Sequence, residues 1–136
     1  MMRKWQRAAG ATMLVVAMIG LTACSGAQQV TVDADDPTAT VPVGGELVVD
    51  LGEVRSGVGD GWLLVEAPDP KVLGEPTEEF EPASGKTSPG SSSIMKVTFP
   101  AVGKGETTLT YEYRFRGEVP EDPVDQQTLT FEVAVR

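Results

Sequence analysis

Cys24 is the one thiol of a 136-residue chain that has no histidine. Without imidazole there is no Ser-His-Asp triad, no Cys-His pair and no imidazole metal ligand. A single cysteine forms no internal disulfide and no paired-cysteine metal knuckle. Chemistry would fall to the carboxylates, and these are abundant: 20 Asp and Glu stand against 11 Lys and Arg, a formal net charge of −9. Two groups stand out, Asp33, Asp35 and Asp36, and Glu118, Glu121, Asp122 and Asp125. Such oxygens suit Ca²⁺, yet neither group has EF-hand or RTX spacing. No spacing singles out a carboxylate pair for glycoside cleavage. Gly57, Gly59 and Gly61 form G-V-G-D-G ahead of a strand. That differs from the G-x-G-x-x-G that cradles phosphate at a helix N-terminus. Binding nucleic acid needs a cationic surface, which the acidic balance denies. These residues point to a non-enzyme, with no metal site, no cofactor and no nucleic-acid partner.

The segment around Cys24 assigns the thiol a different role. Arg3, Lys4 and Arg7 form a basic flank, and an apolar run follows from Ala8 to Ala23. This is the pattern of a secretory signal peptide over residues 1–23. The run is shorter than the roughly 20 residues a membrane-spanning helix needs. Leu21-Thr22-Ala23-Cys24 resembles the bacterial lipobox, in which the Cys becomes the first mature residue and carries lipid. The resemblance implies a protein held by acyl chains on the outer side of a cell membrane. Cleavage would remove three basic residues and no acidic one, leaving 8 against 20 and a net charge of −12. Residues 24–37 then read as the lipidated Cys and a short tether, although Val30 and Val32 alternate with polar neighbours as a first strand would.

Residues 38–136 carry the elements that would position any site. Leu47, Val49 and Leu51 share one face of a strand. So do Met95, Val97 and Phe99, then Leu109, Tyr111 and Tyr113, then Leu129, Phe131, Val133 and Val135. This period-2 alternation marks half-buried antiparallel strands. Gly61–Glu66 is apolar on both faces, as in a central strand, and Trp62 reads as a core residue. Gly, Pro, Asp and Ser clusters separate the runs. The expected fold is all-β, an immunoglobulin-like antiparallel β-sandwich. Residues 67–92 and 116–128 read as long acidic loops on that scaffold, where binding usually resides.

The order of these features resembles the chagasin-type inhibitors of papain-like cysteine peptidases, over about residues 38–136. Val43–Leu51 looks like the family's second strand, and Trp62 sits where the family has a Trp after its first loop. Met95 to Phe115 follows the family pattern without a gap, with Val97, Gly103, Leu109, Thr110 and Tyr111 in place. The resemblance implies an immunoglobulin-like fold whose three loops at one end wedge into the peptidase cleft. The family's first loop, Asn-Pro-Thr-Thr-Gly, corresponds to Arg55-Ser56-Gly57-Val58-Gly59, which keeps the final Gly. Its second, Gly-x-Gly-Gly, corresponds to Ser88-Pro89-Gly90-Ser91, which keeps one Gly. Its third, Arg-Pro-Trp, corresponds to Tyr113-Arg114-Phe115, followed by Arg116. Val58 is an apolar candidate for a substrate-like pocket, Phe115 for an aromatic anchor, and Arg114 or Arg116 for pairing at the rim. Three Gly in five residues raise the cost of ordering the first loop, at about 1–2 kcal/mol per residue. The alternative is an envelope binding or assembly lipoprotein that reuses the scaffold without inhibiting.

Overall fold

Period-2 sequences pair into sheets, and this chain forms two. The computed structural model describes residues 28–83 and 91–136. The strands are β1 (Gln29–Val32), β2 (Thr38–Val41), β3 (Glu46–Val54), β4 (Asp60–Glu66), β5 (Thr77–Pro82), β6 (Ser93–Pro100), β7 (Gly105–Phe115) and β8 (Thr128–Val135). One sheet runs β1-β3-β6-β5 and the other β2-β8-β7-β4. Between them lie Leu47, Val49, Phe99, Val97, Leu109, Tyr111, Phe131 and Val135, all essentially inaccessible to solvent. Each such side chain contributes about 1.5–3 kcal/mol by leaving water. Helices among the described residues are limited to 3-10 turns at Ser56–Val58 and Pro123–Asp125.

The all-β sandwich is as expected, but the sheets are mixed rather than purely antiparallel. β1 runs parallel to β3, and β2 runs parallel to β8. The N-terminal strands thus enter different sheets, joined by a turn at Asp33–Pro37. Asp33 Oδ1 accepts the N–H groups of Asp35 and Asp36 at 2.9 and 2.7 Å. Glu132 donates its N–H to the Pro37 carbonyl at 3.0 Å. Val32 is fully buried, so the sandwich already includes residues 29–32, which lie within the span read as a tether.

Two readings are corrected at the opposite sheet edges. β4 is an edge strand, not a central one. Trp62 and Leu64 pack against the core as an inward face, while Leu63 and Val65 are exposed. The span 67–92 is no continuous loop, because it contains β5. Every residue of β5 is exposed, Phe80 included. It is held by its ladder to β6 and by Lys96–Glu81 at 3.3 Å. An exposed ion pair of this kind is worth only about 0–1 kcal/mol, so backbone pairing is the main tie.

The registers fix which connections share an end. β3 and β5 both run antiparallel to β6, with Val54 and Pro82 both opposite Ser93. β7 finishes where β4 begins, with Phe115 opposite Asp60. The β3–β4, β5–β6 and β7–β8 connections therefore emerge together. The other end, here called the base, holds residues 42–45, 67–76 and 101–104, the entry to β1 and the exit from β8.

Candidate functional site

The β3–β4 connection is a closed turn. The Arg55 carbonyl accepts the N–H of Val58 at 3.0 Å and that of Asp60 at 3.2 Å. Gly59 has φ +103, a conformation other residues adopt only with strain. The loop is thus held by its own backbone in spite of its glycines. Val58 stands at its apex with 43 % of its surface exposed.

β7 ends in a two-residue turn. Phe115 and Glu118 exchange backbone hydrogen bonds at 2.8 and 3.1 Å. Arg116 and Gly117, between them, have φ +52 and +81. Positive φ at both central positions is the turn whose twist suits a β-hairpin. Arg116 donates its N–H to the Gly59 carbonyl at 2.8 Å, joining this turn to the β3–β4 loop. Its guanidinium lies over the Phe115 ring, 5.2 Å from the centroid. Phe115 is 42 % exposed. Below this edge Tyr113 meets Trp62 edge-to-face, with ring centroids 5.8 Å apart. The Tyr113 hydroxyl donates to Asp60 Oδ1 at 2.7 Å. That hydrogen bond raises the Tyr113 pKa above its ordinary 10.0, aided by burial and by the charges of Asp60 and Asp125.

The site residues expected from sequence divide into four sets. Arg55, Gly57, Val58, Gly59, Phe115 and Arg116 come together at one edge, with the Ser56 backbone in the 3-10 turn. Tyr113 supports that edge from beneath, and Arg114 lies opposite Gly61 with its Nε 3.5 Å from Glu112, away from the edge. Ser91 closes the β5–β6 connection at the same end, beside the neck formed by Ala83 N–H and the Ser92 carbonyl at 3.1 Å. Ser88, Pro89 and Gly90 lie outside the described residues, as does Cys24.

Beside the edge runs a cleft of about 670 Å³ lined by Phe115, Tyr113, Val119, Pro120 and Gln127 with six carboxylates. Four of the six, Glu118, Glu121, Asp122 and Asp125, were apparent as a cluster in the sequence. Glu53 and Asp60 were not, because the β3 end and the β4 start bring them there. Asp122 is engaged locally, its Oδ1 accepting the Val124 N–H at 3.0 Å. Among the described residues no group of three or more His, Cys, Asp or Glu is placed to hold a metal ion. The arrangement has no nucleophile–base pair. What it offers is a backbone-fixed edge with exposed apolar and cationic side chains.

Comparison with known proteins bears on the fold and the family. The family model described as chagasin family peptidase inhibitor I42 matches residues 40–135. A cysteine protease inhibitor from Entamoeba histolytica superposes with a TM-score of 0.59 at 16 % identity, over 80 % of this chain and 96 % of that one. Amebosin superposes with a TM-score of 0.59 at 20 % identity, over 82 % and 100 %. An inhibitor solved in complex with falcipain-2 superposes with a TM-score of 0.50 at 18 % identity, over 82 % and 92 %. No curated protein sequence matches the chain. The chain belongs to the chagasin family of peptidase inhibitors, and is not an enzyme.

Proposed function

We propose that this chagasin-family protein is a lipid-anchored, non-catalytic inhibitor of papain-like cysteine peptidases. Its Arg55–Gly59, Ser88–Ser91 and Tyr113–Arg116 segments would block the active-site cleft. One observation carries the reading: Val58 and Phe115 stand exposed on two turns that the Arg116–Gly59 hydrogen bond ties together. Inhibition of this kind needs no reacting group. It needs an edge that fills the cleft without offering a peptide bond for attack, on a backbone already in its bound shape. Val58 fills an apolar subsite, Phe115 anchors beside it, and Arg55 and Arg116 pair at the rim. The complex of a structural neighbour with falcipain-2 supports the class of partner. For the anchor, the support is the basic flank, the apolar run and Leu21-Thr22-Ala23-Cys24.

Titrating the purified protein against papain and a cathepsin-L-type peptidase tests the inhibition. A nanomolar Ki, lost in Val58→Asp with the melting curve unchanged, is the expected result. A folded protein that inhibits neither enzyme at tens of micromolar overturns it. That outcome would favour the scaffold serving as an envelope binding module, a reading the diverged loop motifs support.

A further inference from the structure

The chain enters the sandwich at the end opposite the inhibitory edge. Gln29 opens β1 opposite Glu46, the first residue of β3, and the Glu46 N–H bonds the Gln28 carbonyl at 2.8 Å. β3 then runs away from this base towards the β3–β4 loop, and β7 runs in the same direction from Gly105 to Phe115. At about 3.3 Å per residue, the eleven residues of β7 put its ends roughly 33 Å apart. Cys24 precedes Gln29 by five positions, a reach of at most about 18 Å when fully extended. A lipid on Cys24 therefore keeps the base close to the bilayer, on a leash shorter than the domain is tall.

The base suits that neighbour. Val43 and Val102 are exposed there, and are brought close by the bonds of Val43 N–H to the Arg136 carbonyl and of Gly44 N–H to the Ala101 carbonyl. Lys71 and Lys104 flank them, exposed and without an ion pair among the described residues. The acids of this end are Glu46, which accepts from Gln29 Nε2, Asp69, whose Oδ1 accepts the Lys71 backbone N–H, Glu106, 3.8 Å from Arg136, and the exposed Glu75. The other end carries the six carboxylates of the cleft, which anionic headgroups repel. Chain entry and the exposed valines agree on one orientation, and the larger number of carboxylates gathered at the other end favours it.

We propose that the base of the sandwich, with Val43, Val102, Lys71 and Lys104, rests on the phospholipid headgroups of the membrane that holds Cys24. The inhibitory edge then points outward and meets peptidases arriving from the surrounding medium. This proposal rests on the lipid anchor proposed above. The test uses the full lipidated chain in phosphatidylethanolamine–phosphatidylglycerol vesicles carrying an acceptor dye on a headgroup. A donor dye is attached in turn through V102C at the base and V124C in the β7–β8 connection. Expected is energy transfer several-fold stronger from position 102 than from position 124, with the difference reduced by K71E/K104E. Papain should bind the vesicle-held protein as tightly as it binds detergent-solubilised protein. Equal or reversed transfer from protein that floats with the vesicles overturns the orientation alone. Protein that does not float overturns the anchor, and the orientation with it.

Discussion

The Arg116 N–H donates to the Gly59 carbonyl across 2.8 Å, so the β3–β4 loop and the turn that ends β7 are one hydrogen-bonded unit. The approach is close enough that a Cβ on Gly59 would lie 2.7 Å from Arg116 Cγ and 3.2 Å from its backbone nitrogen. The final glycine of the family's first loop is kept here because a neighbouring turn occupies the space a side chain would take.

Gly59→Ala is accordingly expected to lose about 1–3 kcal/mol of stability, from strain at positive φ and from the contact with Arg116. Inhibition should weaken further, because the two turns separate. Gly61→Ala is the control: nothing lies within 4 Å of its Cβ and its φ is ordinary. Its stability should stay within about 1 kcal/mol of the parent. Thermal melts and Ki values for both variants check this.

Phe115 separates binding from folding. Its ring is half-exposed beneath the Arg116 guanidinium, so Phe115→Ala should change stability by no more than about 1 kcal/mol. As an aromatic anchor at an interface it should carry about 2 kcal/mol or more of binding. Ki is expected to rise roughly 30-fold on the relation of about 1.4 kcal/mol per tenfold. An unchanged Ki would remove Phe115 from the contact.

The two tyrosines set the alkaline limit of the fold. Burial pushes the Tyr111 phenol well above its ordinary 10.0, with the Glu78 charge adding to it. The bond to Asp60 raises Tyr113 in the same direction. A raised pKa means that the folded state holds its phenolic protons longer than the unfolded chain does. The stabilisation is complete below about pH 10 and is lost as pH rises through the folded-state values. Native protein at pH 10 should show little tyrosinate absorbance, while denatured protein shows about half the full signal. Tyr113→Phe should remove one titration and cost about 0.5–1.5 kcal/mol, the worth of a hydrogen bond.

Much of the scaffold was legible because alternation is a local signal. Leu47, Val49, Met95, Val97, Phe99, Leu109, Tyr111, Phe131, Val133 and Val135 face the core as their spacing requires. What sequence could not supply is which face of β4 is left uncovered. Leu63 looks as apolar as Leu64, yet it points away from the second sheet and stays in water. β5 has no alternation to detect, since all six of its residues are exposed. Family resemblance singled out the loop segments, but the Gly59–Arg116 bond and the arrival of Glu53 and Asp60 in the cleft depend on long-range register. Arg116-Gly117 after an aromatic strand end was the one available sign of a tight hairpin turn.

The one-sided burial of β4 can be checked directly. Leu63→Ser should alter stability by no more than about 0.5 kcal/mol, as for other exposed sites. Leu109→Ala, on the adjacent strand β7 and fully buried, should cost about 2–5 kcal/mol. Urea melts of the two variants distinguish them. Were both faces of β4 covered, the two losses would be similar.

The parallel pairing of β1 with β3 has a mechanical consequence. A force that draws the N-terminus away from the loop end pulls along β1, not across it. The four aligned pairs from Gln29–Glu46 to Val32–Val49 then bear the load together, in shear, instead of opening one after another as in a peeled hairpin. The first strand to meet a tug on the leash is held in the geometry that resists tugging best.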